Sequence, residues 1–317
     1  MLRYTARRLL VALPVLWGTT LAVFIFVTLA PGDPVLAMFS PEALATVDVN
    51  VLRHQMGLDL PAPERYLIWL GQVIQGNLGR SYISGLPVVD LISQRVPATL
   101  ELMSVAIALS LLLGALLGSL SALKQHSWVD YLLTLLAFVW ASMPEFFLGI
   151  LLIYLLALKA DWLPTSGMGN AGQPFSLLDN VRHLILPALV LTLTYTAIFT
   201  RYVRSSLLEV LSADYLRTAR AKGLGPATVL IRHALRNALL PLITVVGLRL
   251  PVLFGGAVIV ETVFQWPGMG LLYIQAVNGR DYSLLMGLAL ITASLVIVCN
   301  LVADLSYGIA DPRISYA

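Results

Sequence analysis

The 317-residue chain is poor in chemistry-bearing side chains: one cysteine, four histidines, and charged residues at only 12% of its length. A globular chain carries about twice that share of charge. The single cysteine, Cys299, excludes a disulfide within the chain, and its apolar neighbours mark it as a packing residue. His54, His126, His183 and His233 fall in four separate segments with no H-E-x-x-H or paired-cysteine pattern, so no metal motif is present. No glycine is followed by lysine, which excludes the G-x-x-x-x-G-K-[ST] phosphate loop. Gly (23) and Pro (17) are near average, which excludes collagen-like and low-complexity classes. A net charge of +3 is too small to imply a nucleic-acid partner. Nothing here points to an enzyme. What the chain has instead is apolar surface: 58% hydrophobic residues and a mean hydropathy of +0.85 make a bilayer the expected solvent.

A membrane helix needs about 20 mostly apolar residues. Six runs qualify, at residues 9–30, 98–123, 131–158, 184–202, 238–259 and 283–305, so the fold class is all-α with six transmembrane helices. The first run follows Arg3, Arg7 and Arg8 as a signal peptide would, but it exceeds the usual length of such a core and no small-residue cleavage site follows, so it reads as a retained helix. Lys and Arg are held on the cytoplasmic side of membrane helices. They crowd before the first run and between the fourth and fifth, at Arg201, Arg204, Arg217, Arg220, Lys222, Arg232 and Arg236. Both termini are therefore expected in the cytoplasm, and residues 31–97 outside it.

The outer segment 31–97 predicts an amphipathic helix over 64–75, with Tyr66, Leu67, Leu70 and Ile74 at helical spacing, then a turn at Gly76-Asn77-Leu78-Gly79. The inner segment 204–237 predicts a helix over 205–222, a break at Gly223-Leu224-Gly225-Pro226, and a second helix over 227–237. The expected division is thus 1–30 (N-terminus and first span), 31–97 (extracytoplasmic cap) and 98–317 (core).

Ionisable residues inside a span are costly in lipid and tend to face a cavity or a partner. Glu145, beside Pro144, and Arg249 fall near the middle of the third and fifth runs. They are candidates for the translocation path, as an ion pair lining it; the alternative is a structural pair or a snorkelling arginine. Glu101, Glu261, Asn300 and Asp304 lie nearer span ends and read as capping or interface residues, Asn300 and Asp304 sharing a helix face. Pro187, Pro241 and Pro251 mark starts or kinks.

The ordered blocks along the chain resemble the permease subunits of binding-protein-dependent ABC importers, in the dipeptide, oligopeptide and nickel branch. They are Pro31-Gly32-Asp33-Pro34, Gly76-Asn77-Leu78-Gly79-Arg80-Ser81, Arg95-Val96-Pro97-Ala98-Thr99-Leu100, Asp214-Tyr215-Leu216-Arg217-Thr218-Ala219-Arg220-Ala221-Lys222-Gly223, Val260-Glu261-Thr262-Val263-Phe264-Gln265-Trp266-Pro267-Gly268 and Asp311-Pro312-Arg313-Ile314. The general cytoplasmic signature of such permeases is Glu-Ala-Ala, three residues, then Gly. Here Arg217 and Thr218 stand where Glu and the first Ala belong, a form similar to the peptide branch.

The resemblance implies a type I importer fold in the bacterial inner membrane. It implies a coupling element at Arg217, Thr218, Ala219, Arg220, Lys222, Gly223, Leu224 and Gly225 that docks on a separate ATPase. Its partners would be a second permease, two ATPase subunits that bind the ATP and Mg, an extracytoplasmic substrate-binding protein and membrane lipid. No cofactor is implied in this chain. The resemblance implies that the chain forms half of the translocation pathway for di- and oligopeptides, with nickel or metal chelates and glutathione as the alternative substrates. A rival from another class, an ion-coupled secondary transporter, would show inverted repeats, and none relates runs one to three with four to six.

Overall fold

The computed structural model describes residues 2–38, 48–170, 172–239, 242, 245–246 and 257–310. Among the described residues there is no β-strand, only an isolated bridge between Arg80 and Pro87. The chain is all-α. Its helices are α1 (Leu2–Leu29), α2 (Pro34–Met38), α3 (Val49–Gln55), α4 (Ala62–Ile74), α5 (Val88–Leu123), α6 (Trp128–Ser142), α7 (Glu145–Lys159), α8 (Leu177–Leu211), α9 (Asp214–Ala221), α10, α11 (Met269–Asn278) and α12 (Tyr282–Ala310). In α10, Pro226–Thr228 leads through a π-helical stretch, Val229–Leu235, into Arg236–Ala238. Four helices, α1, α5, α8 and α12, are long and apolar enough to cross a membrane; counting the bent pair α6 and α7 as one span makes five. The run at 238–259 lies mostly outside the described residues.

Several elements depart from the sequence expectation for physical reasons. The helix of the second span starts at Val88 rather than at 98, because Val88, Ile92 and Val96 keep the helical spacing after hydropathy has ended. Pro97 consequently sits inside α5, and Pro187 sits inside α8, which begins at Leu177. The third run forms two helices rather than one: Met143 is extended before Pro144, as a residue before proline prefers, and α6 and α7 bend by 102°. The helix expected over 205–222 is interrupted at Ser212 and Ala213, and α11 was not foreseen.

The chain divides into two compact units, the first formed by residues 1–99 and 267–298. Its core gathers Leu78, Val88, Ile92, Met269, Leu272, Leu285 and Leu288. A Cβ at Gly287 would lie 2.4 Å from Val88, so α12 crosses the start of α5 at a distance only glycine permits. The amphipathic α4 turns Tyr66 against α1, where its hydroxyl meets Thr20 Oγ1 at 3.0 Å and its ring sits 5.2 Å from Phe24. A buried carboxylate, Asp281, pins the 81–87 loop to the start of α12: it accepts from Ser81 Oγ (2.5 Å), Tyr82 N (3.1 Å) and Leu284 N (3.1 Å).

The second unit, residues 100–266 and 299–317, is organised around α8. The most apolar window of α8 is 72% buried, against 28% for α5, so α8 is the inner helix of this unit. It packs on α6 and α7. Gly114 and Gly118 of α5 bring that helix against its backbone, where added Cβ atoms would meet Phe199 at 2.5 Å and the Thr200 carbonyl at 2.7 Å. This small-xxx-small spacing is how membrane helices approach closely.

Candidate functional site

The inner segment forms a knob of two short helices. Helix α8 stops at Leu211, Ala213 turns extended, and Asp214 opens α9 with its carboxylate at the positive end of the helix. Along α9 only Leu216 and Ala219 are buried. They pack with Leu207 of α8, Ala122 of α5 and Val229, Ala234 and Ala238 of α10 into a small core. Gly223 closes α9 with φ +79°, the left-handed conformation favoured by glycine at a helix C-terminus, and its N–H reaches the Arg220 carbonyl at 2.9 Å. Pro226 then begins α10, and Asn237 Nδ2 donates to Tyr215 Oη at 3.0 Å, tying the two helices together.

The structure separates the residues expected to form the coupling element into two groups. Arg217, Thr218, Arg220, Lys222, Gly223, Leu224 and Gly225 are exposed and form one outward face of the knob. Ala219 points the other way, 8% exposed within the core, so a bulky residue there would disrupt the knob rather than block a partner. The Arg217–Asp214 pair is 3.4 Å apart with side chains 76% and 93% exposed, a geometry that contributes little.

Beside the knob lies a polar brace that sequence reasoning missed. Asp130 in the first turn of α6 accepts two hydrogen bonds from Arg204 of α8, Nε to Oδ1 and Nη2 to Oδ2, both at 2.8 Å. Ser121 Oγ of α5 donates to Oδ1 at 2.5 Å, and the His126 N–H to Oδ2 at 3.1 Å. Bidentate guanidinium–carboxylate pairing is a strong arrangement, and here it joins three helices next to the knob's core residues Ala122 and Leu207. The signal in the sequence was weak: an acidic residue three after the Ser127 cap looks like ordinary helix capping, and Arg204 looks like one more positive-inside residue.

The path residues fare differently. Glu145 is the first residue of α7, half-buried directly after the break at Pro144, where unpaired N–H groups favour an anion. Arg249 lies outside the described residues, as do Pro241 and Pro251. Glu101 is hydrogen-bonded to the buried Asn180 of α8. Glu261 is fully buried, and its carbonyl accepts from Trp266 N at 2.9 Å. Asn300 and Asp304 both fall in α12, and the Asp304 side chain is outside the described residues. Along α8, Thr192, Thr196 and Thr200, four apart, bury hydroxyls that meet no partner.

Residues 110–316 match the family described as binding-protein-dependent transport system inner membrane component, and residues 1–103 match the N-terminal family of the same system. The oligopeptide transport system permease protein AppB of Bacillus subtilis is 43% identical over 317 residues, covering 100% of both chains. The di/tripeptide transport system permease protein DppB of Pseudomonas aeruginosa is 41% identical over 334 residues, covering 100% of this chain and 99% of its own. A solved structure of the MetNI methionine ABC transporter in an inward-facing conformation aligns with TM-score 0.58 at 16% identity, over 70% of this chain and 97% of that one, a likeness of fold.

Proposed function

Because this chain belongs to the inner membrane components of binding-protein-dependent transport systems, we propose that it forms half of a pathway importing di- and oligopeptides. Members of this family are permease subunits without an ATPase of their own; hydrolysis resides in separate chains. The names of the relatives at 41–43% identity support a peptide as cargo. In this reading a second, related permease supplies the other half, two ATPase subunits bind ATP and Mg, and a binding protein delivers the peptide to the cap at 31–97. The core, 98–317, carries the path, and six spans leave both termini in the cytoplasm.

The observation that carries the proposal is the knob. A short helix, a glycine in the left-handed region and a second helix share one buried core, so the exposed face from Arg217 to Gly225 moves as a body. Its basic residues complement an acidic or polar groove. Beside that body Asp130 and Arg204, with Ser121, lock α5, α6 and α8 to one another, and α8 leads into the knob, so closure of the ATPase pair is passed to the spans rather than absorbed in a loop. At the break in the third span, Glu145 offers a carboxylate to the peptide's amino group.

Gly223→Asp tests the coupling. The substitution strains a φ of +79° and adds negative charge to the docking face, while no atom within 4 Å would clash with its Cβ. ATP-driven uptake by reconstituted vesicles should fall at least tenfold, with loss of co-purifying ATPase or of transport-linked hydrolysis. Unchanged co-purification together with unchanged uptake would remove the assignment. Competition of labelled dipeptide uptake by glutathione or by nickel chelates separates peptide from the other substrates of the branch.

A further inference from the structure

The first unit contains an open cavity of about 640 Å³. Phe24 and Val27 of α1, Ile68 of α4 and Met286 of α12 form an apolar wall. Elsewhere on α1 and α4, Phe26, Leu29, Leu67 and Ile74 are 65–81% exposed, large apolar side chains open to the surroundings. Against the apolar wall stand two cations, Arg65 and Arg80, and no Asp or Glu among the described residues that line the cavity. Arg65 lies over the Phe24 ring at 5.8 Å, and Arg80 uses its Nε on the Gly85 carbonyl; neither has an acidic partner among the described residues. Trp69, Tyr82 and Tyr282 complete the lining, the aromatic types enriched where membrane meets water. The indole N–H of Trp69 is buried and finds no acceptor among the described residues. A buried donor without a partner is unfavourable, so an acceptor supplied by a ligand would be favourable.

We propose that this cavity binds an anionic phospholipid, its phosphate neutralised by Arg65 and Arg80 and an acyl chain laid on the wall of Phe24, Val27, Ile68 and Met286. An apolar wall suits an acyl chain, and cations without carboxylates select an acidic headgroup over a zwitterionic one. The site is independent of the transported substrate and holds whether or not the cargo is a peptide.

Native mass spectrometry of the purified, delipidated transporter complex, titrated with phosphatidylglycerol or phosphatidylethanolamine, tests this. The wild-type complex should hold phosphatidylglycerol more tightly at one site in this subunit. A basic residue at a membrane surface is worth about a factor of five, so Arg65→Gln or Arg80→Gln should each weaken that site about fivefold and the double variant about 30-fold. Phosphatidylethanolamine binding should not change. Arg65→Lys with Arg80→Lys should keep the preference, and Ile68→Trp, which fills the wall without altering charge, should weaken it; these serve if the Gln variants fail to assemble. Three outcomes overturn the proposal: equal retention of phosphatidylglycerol by wild type and the charge-removed complex, one-for-one displacement by a tripeptide, or displacement by free glycerol phosphate.

Discussion

Asp130, at 2% exposed, and Asp281, at 1%, are both buried carboxylates, and their settings differ. Asp281 is held by three neutral donors, a serine hydroxyl and two backbone N–H groups, and fastens a loop to the start of a helix. Asp130 has four donors from three groups, two of them from a guanidinium, and fastens three helices. In the first unit the charge is solvated by dipoles; in the second it is answered by another charge. Removing Asp281 leaves unpaired polar groups, whereas removing Asp130 leaves an unpaired cation. The second unit, which carries the knob, therefore has the harder joint.

The largest effect should come from Asp130→Ala. Breaking a buried ion pair by deleting one partner costs about 3–5 kcal/mol, and because the Arg204 side chain retains 31% exposure the low end, about 3 kcal/mol, is expected. The midpoint of thermal inactivation of the reconstituted complex should drop by several degrees, and peptide uptake per ATP hydrolysed should fall. Asp130→Ala with Arg204→Ala should recover part of the lost stability but not the uptake per ATP, since the neutral pair no longer braces the knob. If the double variant is as unstable as the sum of the singles, the two residues are not acting as a pair.

Asp281 sharpens the contrast at intermediate size. Asp281→Ala strands the Ser81 hydroxyl and the N–H groups of Tyr82 and Leu284, a loss of about 2 kcal/mol. Asp281→Asn keeps one acceptor oxygen and should cost about half that, because no opposite charge is left behind. The same exchange at Asp130 should be relatively worse, since Asn cannot answer Arg204 bidentately. Equal thermal shifts for Asn at the two positions would erase the distinction drawn between them.

The comparison also locates what the sequence could and could not disclose. Membrane helices were legible because hydropathy over about 20 residues is a local property, as were the Gly223 break and the turn at 76–79. Helix ends were not, since Val88–Pro97 of α5 is amphipathic rather than apolar, and the polar residues Asp179, Arg182, Arg201 and Arg204 hid the true length of α8. The outward face of the knob was legible from its basic composition, but the inward turn of Ala219 depends on a core contributed by three other helices. Asp130 and Asp281 escaped notice because their partners are remote: 74 residues separate Asp130 from Arg204, and 200 separate Asp281 from Ser81. One charged residue looks like any other until the chain has brought its partner beside it.

A third carboxylate, Asp33, sets the lower end of the scale. It lies just after α1 and accepts from Arg53 of α3, Nε to Oδ2 at 2.8 Å, and from the Val35 N–H at 2.9 Å. Burial by itself raises the Asp33 carboxyl, but the Arg53 hydrogen bond, the Val35 N–H and the Arg53 charge outweigh it and hold the group below the usual carboxylate range. A carboxyl lowered in the folded state stabilises the fold at neutral pH, and that contribution shrinks as pH falls below the ordinary carboxylate value of about 4 toward the lower folded one. The Arg53 side chain is 40% exposed, so screening by water limits the effect to under about 1 kcal/mol. Asp33→Asn should therefore lower the thermal midpoint slightly at pH 7, and the gap to wild type should narrow as the pH is taken from 5 to 3.5. A gap that stays constant over that interval would mean that the Asp33 charge is not what holds α3 to the end of α1.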